Sequence, residues 1–105
     1  MYTDSDSAKR FVWDPVKVTT NFRDHKIAFE FAKDVFFDPY AIEAYDSEHS
    51  EWEDRFRIIG RVGGKILVVV YSDRNDEVRI ISARRAERAE RKHYYENEKE
   101  QSQRP

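Results

Sequence analysis

Arginines are concentrated in one segment of this sequence, and their positions suggest that they hold an anion. Residues 79–92, RIISARRAERAERK, carry five arginines and one lysine, although the net charge of the chain is −2. If Ser82 caps a helix, Arg84 and Arg85 fall in its first turn, where the helix dipole disfavours each cation by about 0.3–1 kcal/mol. Free N–H groups at a helix N-terminus bind phosphates, and arginine forks strengthen that binding. The pattern predicts an anion site there, within reach of Arg79.

A structural interpretation of these arginines stays open, because charge is distributed unevenly along the chain. Residues 34–54 contain eight acidic residues and no Lys or Arg, whereas residues 55–92 contain eleven basic and five acidic ones. Such segregation suits a face that binds a polyanion. The two blocks could equally neutralise each other, with Arg84 and Arg85 paired to the acidic band, to Glu87 or to Glu90.

A second polar group lies near the N-terminus. Lys17, Asn21 and His25 are spaced four residues apart, which places them on one face of a predicted helix. The ordinary pKa of histidine, about 6.5, suits His25 to proton transfer near neutrality, although a lone histidine is more often structural. The three histidines show no metal-ligand spacing, and no nucleotide-binding or serine-hydrolase motif occurs, so we predict no metal and no cofactor.

The expected elements follow from hydrophobic periodicity and from glycine and proline positions. Asp14-Pro15 is typical of a helix start, Asp38-Pro39 of a helix stop, and Gly63-Gly64 of a two-residue hairpin turn. We predict the order β-α-α-β-β-β-β-α, an α+β fold with a mainly antiparallel meander sheet covered by two N-terminal helices and a C-terminal helix. The predicted strands are 10–14, 41–46, 55–62, 65–72 and 77–82, and the predicted helices are 15–24, 28–36 and 83–96.

Length and composition suggest a single small domain. With 105 residues the chain is predicted to form a leader at 1–9, one domain at 10–96 and a flexible tail at 97–105. The sequence contains no cysteine and no apolar run of the roughly 20 residues that span a bilayer. We therefore expect a cytoplasmic protein without a membrane partner.

Several blocks of the sequence occur in the order and near-spacing of a known family. They are FVWDPVKVTTNFRDHKIAFEFA, VFFDP, DRFRIIGR, LVVVYSDR and RIISARRAERAER. Over roughly 11–95 the chain resembles the BrnT family of bacterial type II toxins, which look like the RelE superfamily of ribonucleases. Asn75 stands where family members often have glycine, and asparagine tolerates the left-handed backbone that this turn needs.

The resemblance implies a function and partners. It implies a metal-independent, RelE-like endoribonuclease that cleaves RNA and inhibits translation. It also implies neutralisation by a BrnA-like antitoxin, expected to be a ribbon-helix-helix dimer that binds operator DNA, which the toxin would meet only through the antitoxin. The alternative is a non-catalytic module that uses the same basic face to bind RNA or protein.

The resemblance and the residue chemistry together give the candidate site. Arginines suit stabilisation of a pentavalent phosphate, and His25 or Lys17 suits proton transfer. The residues predicted to be catalytic are Lys17, His25, Arg79 and Arg84; those predicted to bind substrate are Asn21, Arg55, Arg74, Ser82, Arg85 and Tyr94.

Overall fold

A mixed sheet of five strands organises the protein. The computed structural model describes residues 10–50 and 52–103, so the predicted leader at 1–9 lies outside the described residues. Three α-helices accompany the sheet, which confirms the α+β class; the likeness to the RelE topology stays a prediction. The elements are β1 (Arg10–Trp13), α1 (Pro15–His25), α2 (Phe29–Ala32), β2 (Ile42–Tyr45), β3 (Phe56–Val62), β4 (Lys65–Arg74), β5 (Glu77–Arg85) and α3 (Arg88–Ser102), with 3₁₀ turns at Lys33–Phe37 and Ser47–His49.

The strands lie in the order β1-β5-β4-β3-β2. Strands β2 to β5 form an antiparallel meander, whereas β1 pairs in parallel with the first half of β5. The predicted central strand is confirmed, because β4 lies between β3 and β5 and is buried on both faces from Ile66 to Val69. No helix among the described residues is long and apolar enough to cross a membrane.

The predicted start of α1 is confirmed. Asp14 Oδ1 accepts a hydrogen bond of 2.8 Å from the Val16 N–H, and Pro15 occupies the first helical turn, where it loses no hydrogen bond. The second predicted helix is shorter than expected, because α2 ends at Ala32 and continues as a 3₁₀ turn. Asp38, which precedes a proline, then takes up extended backbone.

Two turns set the meander register. Gly63 and Gly64 have φ values of 55° and 82°, which the two-residue turn between β3 and β4 requires and which glycine adopts without a Cβ clash. Asn75, with φ of 51°, makes the next turn in left-handed backbone, as predicted.

The predicted end of β5 is wrong. Ser82 does not cap a helix, because β5 continues to Arg85 and α3 begins at Arg88 with Glu87 as its N-cap. Tertiary pairing explains the difference: Ser82 to Arg85 pair with Val70 to Leu67 of the long apolar strand β4. A bulge at Ile81 shifts the register and lets this pairing continue. Helix α3 also extends to Ser102 rather than ending near Glu96.

The two faces of the sheet are covered unequally. The first face packs its apolar side chains against α1, α2 and the 3₁₀ turn at Lys33–Phe37, in the main core. The second face has a smaller core, in which Ile66 and Val68 contact Ala86 and Tyr94. Because α3 covers only that part of the second face, the neighbouring part, around Val70 and Ser82, stays open to solvent.

Candidate functional site

A cleft of about 510 Å³ lies on the open part of the second face. Strand pairing builds its floor, because Arg57 lies opposite Val70 on β4, and Val70 lies opposite Ser82 on β5. Directly opposed residues of antiparallel strands project to the same face. The lining residues are His25, Asp46, Glu48, Arg55, Arg57, Val70, Ile81, Ser82 and Arg84. Four of the predicted site residues, His25, Arg55, Ser82 and Arg84, therefore meet in one cleft.

Arg84 is held in a fixed orientation at the edge of the cleft. Its Nη1 and Nη2 donate to the two carboxylate oxygens of Glu90, each at 2.8 Å. Glu90 Oε1 also accepts the Glu87 N–H at 2.7 Å, as part of the capping box of α3. The hydrogen bond between them raises the pKa of Arg84 and lowers the pKa of Glu90. Because Glu90 binds the Nη1–Nη2 end of the guanidinium group, the Nε–Nη2 edge of Arg84 can bind a phosphate.

A second group of arginines surrounds Glu53, in the loop between β2 and β3. Glu53 accepts hydrogen bonds from Arg79 Nη2 and, at 3.1 Å, from Arg74 Nη2, while Arg55 Nη2 lies 3.8 Å from its Oε2. The hydrogen bond from Arg79 is the main cause that lowers the pKa of Glu53. We call these four residues the Glu53 cluster. It carries three cations and one anion, and Arg55 joins it to the cleft.

The side chain of Asn21 binds backbone groups of the protein itself. This side chain is buried, with 5% exposed, and it pairs with the backbone of Ala83: Oδ1 accepts the Ala83 N–H at 3.0 Å and Nδ2 donates to the Ala83 carbonyl at 2.9 Å. Nδ2 also donates to the Ile27 carbonyl at 2.9 Å. Because β1 pairs with β5 only up to Ile80, the Asn21 amide takes the place of a strand neighbour beyond it. This contact fixes the end of α1 beside β5 and brings His25 to the cleft.

The remaining predicted residues lie outside the cleft lining. Lys17 is half-buried one turn before Asn21 on α1. Tyr94 is 0% exposed and its hydroxyl donates to Asp38 Oδ2 at 2.6 Å; burial raises the pKa of Tyr94. Arg85 follows Arg84 in a strand, so it projects to the opposite side and lies near Lys65 instead.

Arg57 and Glu53 are among the residues of this region that the sequence predictions missed. Arg57 lines the cleft, and its spacing of two residues from Arg55 on the basic side of β3 was a signal that could have identified it. Glu53 had no such signal, because the path of its loop over the sheet depends on tertiary contacts. No group of three or more His, Cys, Asp or Glu side chains that could hold a metal occurs within residues 10–50 and 52–103.

The arrangement can bind a phosphodiester and move a proton. Guanidinium groups of Arg55, Arg57 and Arg84 and the hydroxyl of Ser82 supply donors for phosphate oxygens around one cavity. The exposed imidazole of His25 supplies an acid–base group at the same place.

Comparison with known families adds one match. A family model described as the ribonuclease toxin, BrnT, of a type II toxin–antitoxin system matches residues 13–90, which include every residue of the cleft lining. No curated protein matches the chain.

Proposed function

The chain belongs to the BrnT family of ribonuclease toxins of type II toxin–antitoxin systems, and from that premise we propose that the cleft binds RNA and cleaves it without a metal ion. The observation that carries the proposal is the meeting of His25, Arg57 and Arg84 in one open cleft. Cations and a proton-transfer group at one place are what intramolecular cleavage of a phosphodiester needs.

Arg57 and Arg84 hold the scissile phosphate in this proposal. Arg84 offers the guanidinium edge that Glu90 leaves unused, and because Glu90 fixes its orientation, little side-chain freedom is lost on binding. Arg57 approaches from β3, on the other side of Val70 from Ser82. Negative charge that develops on the equatorial oxygens of the pentavalent phosphate is stabilised between the two cations.

His25 takes the proton of the attacking 2′-hydroxyl. The 2′-oxygen forms a bond to phosphorus as the bond to the 5′-oxygen breaks, and the 5′-oxygen takes a proton from solvent, to which this cleft is open. The products are an RNA end with a 2′,3′-cyclic phosphate and an RNA end with a 5′-hydroxyl. Lys17 receives no role in this step, because it lies outside the cleft lining.

The Glu53 cluster extends the binding surface along the RNA backbone. Arg74 and Arg79 remain partly exposed although both contact Glu53, so they can contact flanking phosphates. The excess of two positive charges in the cluster favours a polyanion. Tyr94 and Asn21 maintain the fold in this proposal and do not contact RNA.

A ribonuclease toxin of a type II system has an antitoxin as its partner and RNA as its substrate. We propose further that the antitoxin is BrnA-like, a ribbon-helix-helix dimer that binds operator DNA, and that cleavage inhibits translation. The support is the resemblance of the sequence blocks to the family.

The test is RNA cleavage by the purified chain in the presence of EDTA. We expect cleavage with 2′,3′-cyclic phosphate ends, and we expect His25→Gln to reduce the rate by about 10²–10⁴-fold, as loss of general base catalysis does. His93→Gln is the matched control, since His93 lies on α3 outside the cleft lining.

Three outcomes would contradict parts of the proposal. Cleavage that stops in EDTA would refute metal independence. Equal loss of activity in His25→Gln and His93→Gln would remove His25 from the reaction. RNA that is bound but left intact, with and without ribosomes, would favour the non-catalytic binding module.

A further inference from the structure

A row of aromatic rings crosses the first face of the sheet, away from the cleft. Successive ring centroids lie 6.2, 5.2, 4.9, 5.6 and 5.7 Å apart. The two end rings are half-exposed, Phe37 at 46% and Tyr45 at 50%. The row therefore begins and ends at the surface, and its members are Phe37, Phe11, Phe36, Tyr71, Phe56 and Tyr45.

One end of this row forms the floor of a groove with an acidic rim. The groove, of about 380 Å³, is lined by Glu43, Ala44, Tyr45, Phe56, Tyr71 and Asp73. The Tyr71 hydroxyl donates to Glu43 of the rim, and the Tyr45 hydroxyl donates at 3.0 Å to Asp54, which is not part of the lining. The lining carries two carboxylates and no basic side chain, so the groove favours a cationic ligand over an anionic one.

The same groove borders an open edge of the sheet. Strand β2 is the last strand on this side of the sheet that the structure describes. Asp46 N–H donates to the Arg55 carbonyl at 2.8 Å, so antiparallel alternation directs the backbone groups of Ala44 to β3 and those of Glu43 and Tyr45 outward. Both outward residues pair with residues of the first face, so their side chains also face the groove.

We propose that an extended, cationic segment of the antitoxin binds this groove by adding a strand to β2. Backbone groups of Glu43 and Tyr45 bind the added strand, and its alternate side chains lie over the groove. Arginine or lysine side chains contact Glu43 and Asp73 and stack on the rings of Tyr45 and Phe56, and an apolar side chain between them covers the aromatic floor. This rests on the proposed function, since it is the antitoxin of that toxin that occupies the groove.

The charge of this groove differs from that of two other exposed surfaces, the outer side of α3 and the cleft. The outer side of α3 presents four basic residues, Arg88, Arg91, Lys92 and Lys99, and it would repel a cationic segment. The cleft, on the second face, is lined by three arginines and two carboxylates, so its charge is positive overall. The groove lies on the first face, so it is separate from the cleft.

The experiment measures binding of the proposed antitoxin, which is sought in the reading frames beside the gene of this chain. Titration calorimetry of the purified pair compares the native chain with a double variant, Glu43→Lys with Asp73→Lys, and with Tyr45→Ala. We expect the double variant to weaken binding at least tenfold and Tyr45→Ala to weaken it severalfold, with RNA cleavage by the free chain unchanged. Lys92→Glu is the control, because it makes a charge reversal of one residue on the outer side of α3.

A second measurement reports the added strand directly. Hydrogen exchange of the backbone amides of Glu43 and Tyr45 should slow in the complex, since both N–H groups become bonded. Native affinity in both groove variants, or unchanged exchange at the two amides, overturns the proposal. Self-association of the native chain in ultracentrifugation that is absent from the groove variants also overturns the proposal, because a second copy would then occupy the groove. A chain that binds the antitoxin as expected but cuts no RNA refutes the proposed function and leaves this inference standing.

Discussion

The two halves of β5, before and after the bulge at Ile81, have different neighbours. The first half pairs with β1 on one side and β4 on the other. The second half pairs with β4 alone, and the side chain of Asn21 binds its free edge at Ala83. The end of β1 thus leaves room beside β5 for the end of α1, which carries His25.

The arginines of the two halves differ in the same way. Arg79, in the first half, shares the carboxylate of Glu53 with Arg74 and Arg55. Arg84, in the second half, has a carboxylate fork of its own and lines the cleft. From this difference we predict that Arg79 contributes to general attraction of a polyanion, whereas Arg84 contacts one specific phosphate.

The largest expected effect is on the RNA cleavage rate, and substitution of each of the two arginines should distinguish their roles. Arg84→Ala should lower the RNA cleavage rate by about 10²–10³-fold, the usual loss when one donor to a developing oxyanion is removed. Arg79→Ala should lower it by less than about tenfold and should mainly reduce the salt dependence of RNA binding. Arg85→Ala, which changes the adjacent residue outside the cleft lining, is the control. Equal losses for Arg79→Ala and Arg84→Ala would remove the distinction between the two halves.

Removal of the Asn21 amide should test what holds the second half in place. Asn21→Ala should lower the free energy of unfolding by about 2–3 kcal/mol, because unsatisfied buried backbone groups each cost about 1–3 kcal/mol. Urea denaturation gives the value, with Thr20→Ala as the control on the exposed side of α1. A stability close to that of the native chain would mean that water replaces the amide at this edge.

Glu90→Gln should have a smaller effect on stability and a selective one on activity. The substitution removes the charge that holds Arg84 while the side-chain amide can still occupy the capping position. We expect a loss of about 1 kcal/mol in the free energy of unfolding and roughly a tenfold lower cleavage rate, about 1.4 kcal/mol. Glu98→Gln is the control. Glu98 lies elsewhere on α3 and binds Arg61 of β3, so its substitution should leave the cleavage rate unchanged. Cleavage at the native rate in Glu90→Gln would show that Arg84 needs no fixed orientation.

The smallest expected effect is on the loss of stability at low pH, to which both carboxylates, Glu53 and Glu90, contribute. Contacts with arginines lower the folded-state pKa of Glu53 and of Glu90 below the ordinary value of 4.5. The stability from each is therefore present above about pH 4.5 and is lost as the pH falls through the folded-state pKa. Thermal unfolding from pH 7 to pH 3 should show a shallower loss of melting temperature in Glu53→Gln than in the native chain. Parallel curves would mean that exposure of Arg74 and Arg79 to solvent already screens the cluster.

Local sequence signals predicted much of the framework. The Asp14-Pro15 start of α1, the Gly63-Gly64 turn and the left-handed Asn75 were all correct, because each depends on the backbone preferences of one or two residues. Of the ten residues that the sequence predicted for one site, the structure brings four, His25, Arg55, Ser82 and Arg84, to one cleft, and their roles stay predictions. The proposed leader, domain and tail boundaries stay predictions.

Tertiary structure alone decided how the arginine-rich segment folds. Locally, Ser82 looked like a helix cap, but ladder pairing with ten-residue β4 kept the chain extended to Arg85 and so placed Arg84 and Arg85 on opposite sides. The burial of Asn21 and Tyr94, and the contacts of Glu53 with Arg74 and Arg79, likewise join residues far apart in sequence. Composition and periodicity record which residues prefer which backbone, whereas the energy of these contacts arises only when distant segments pack together.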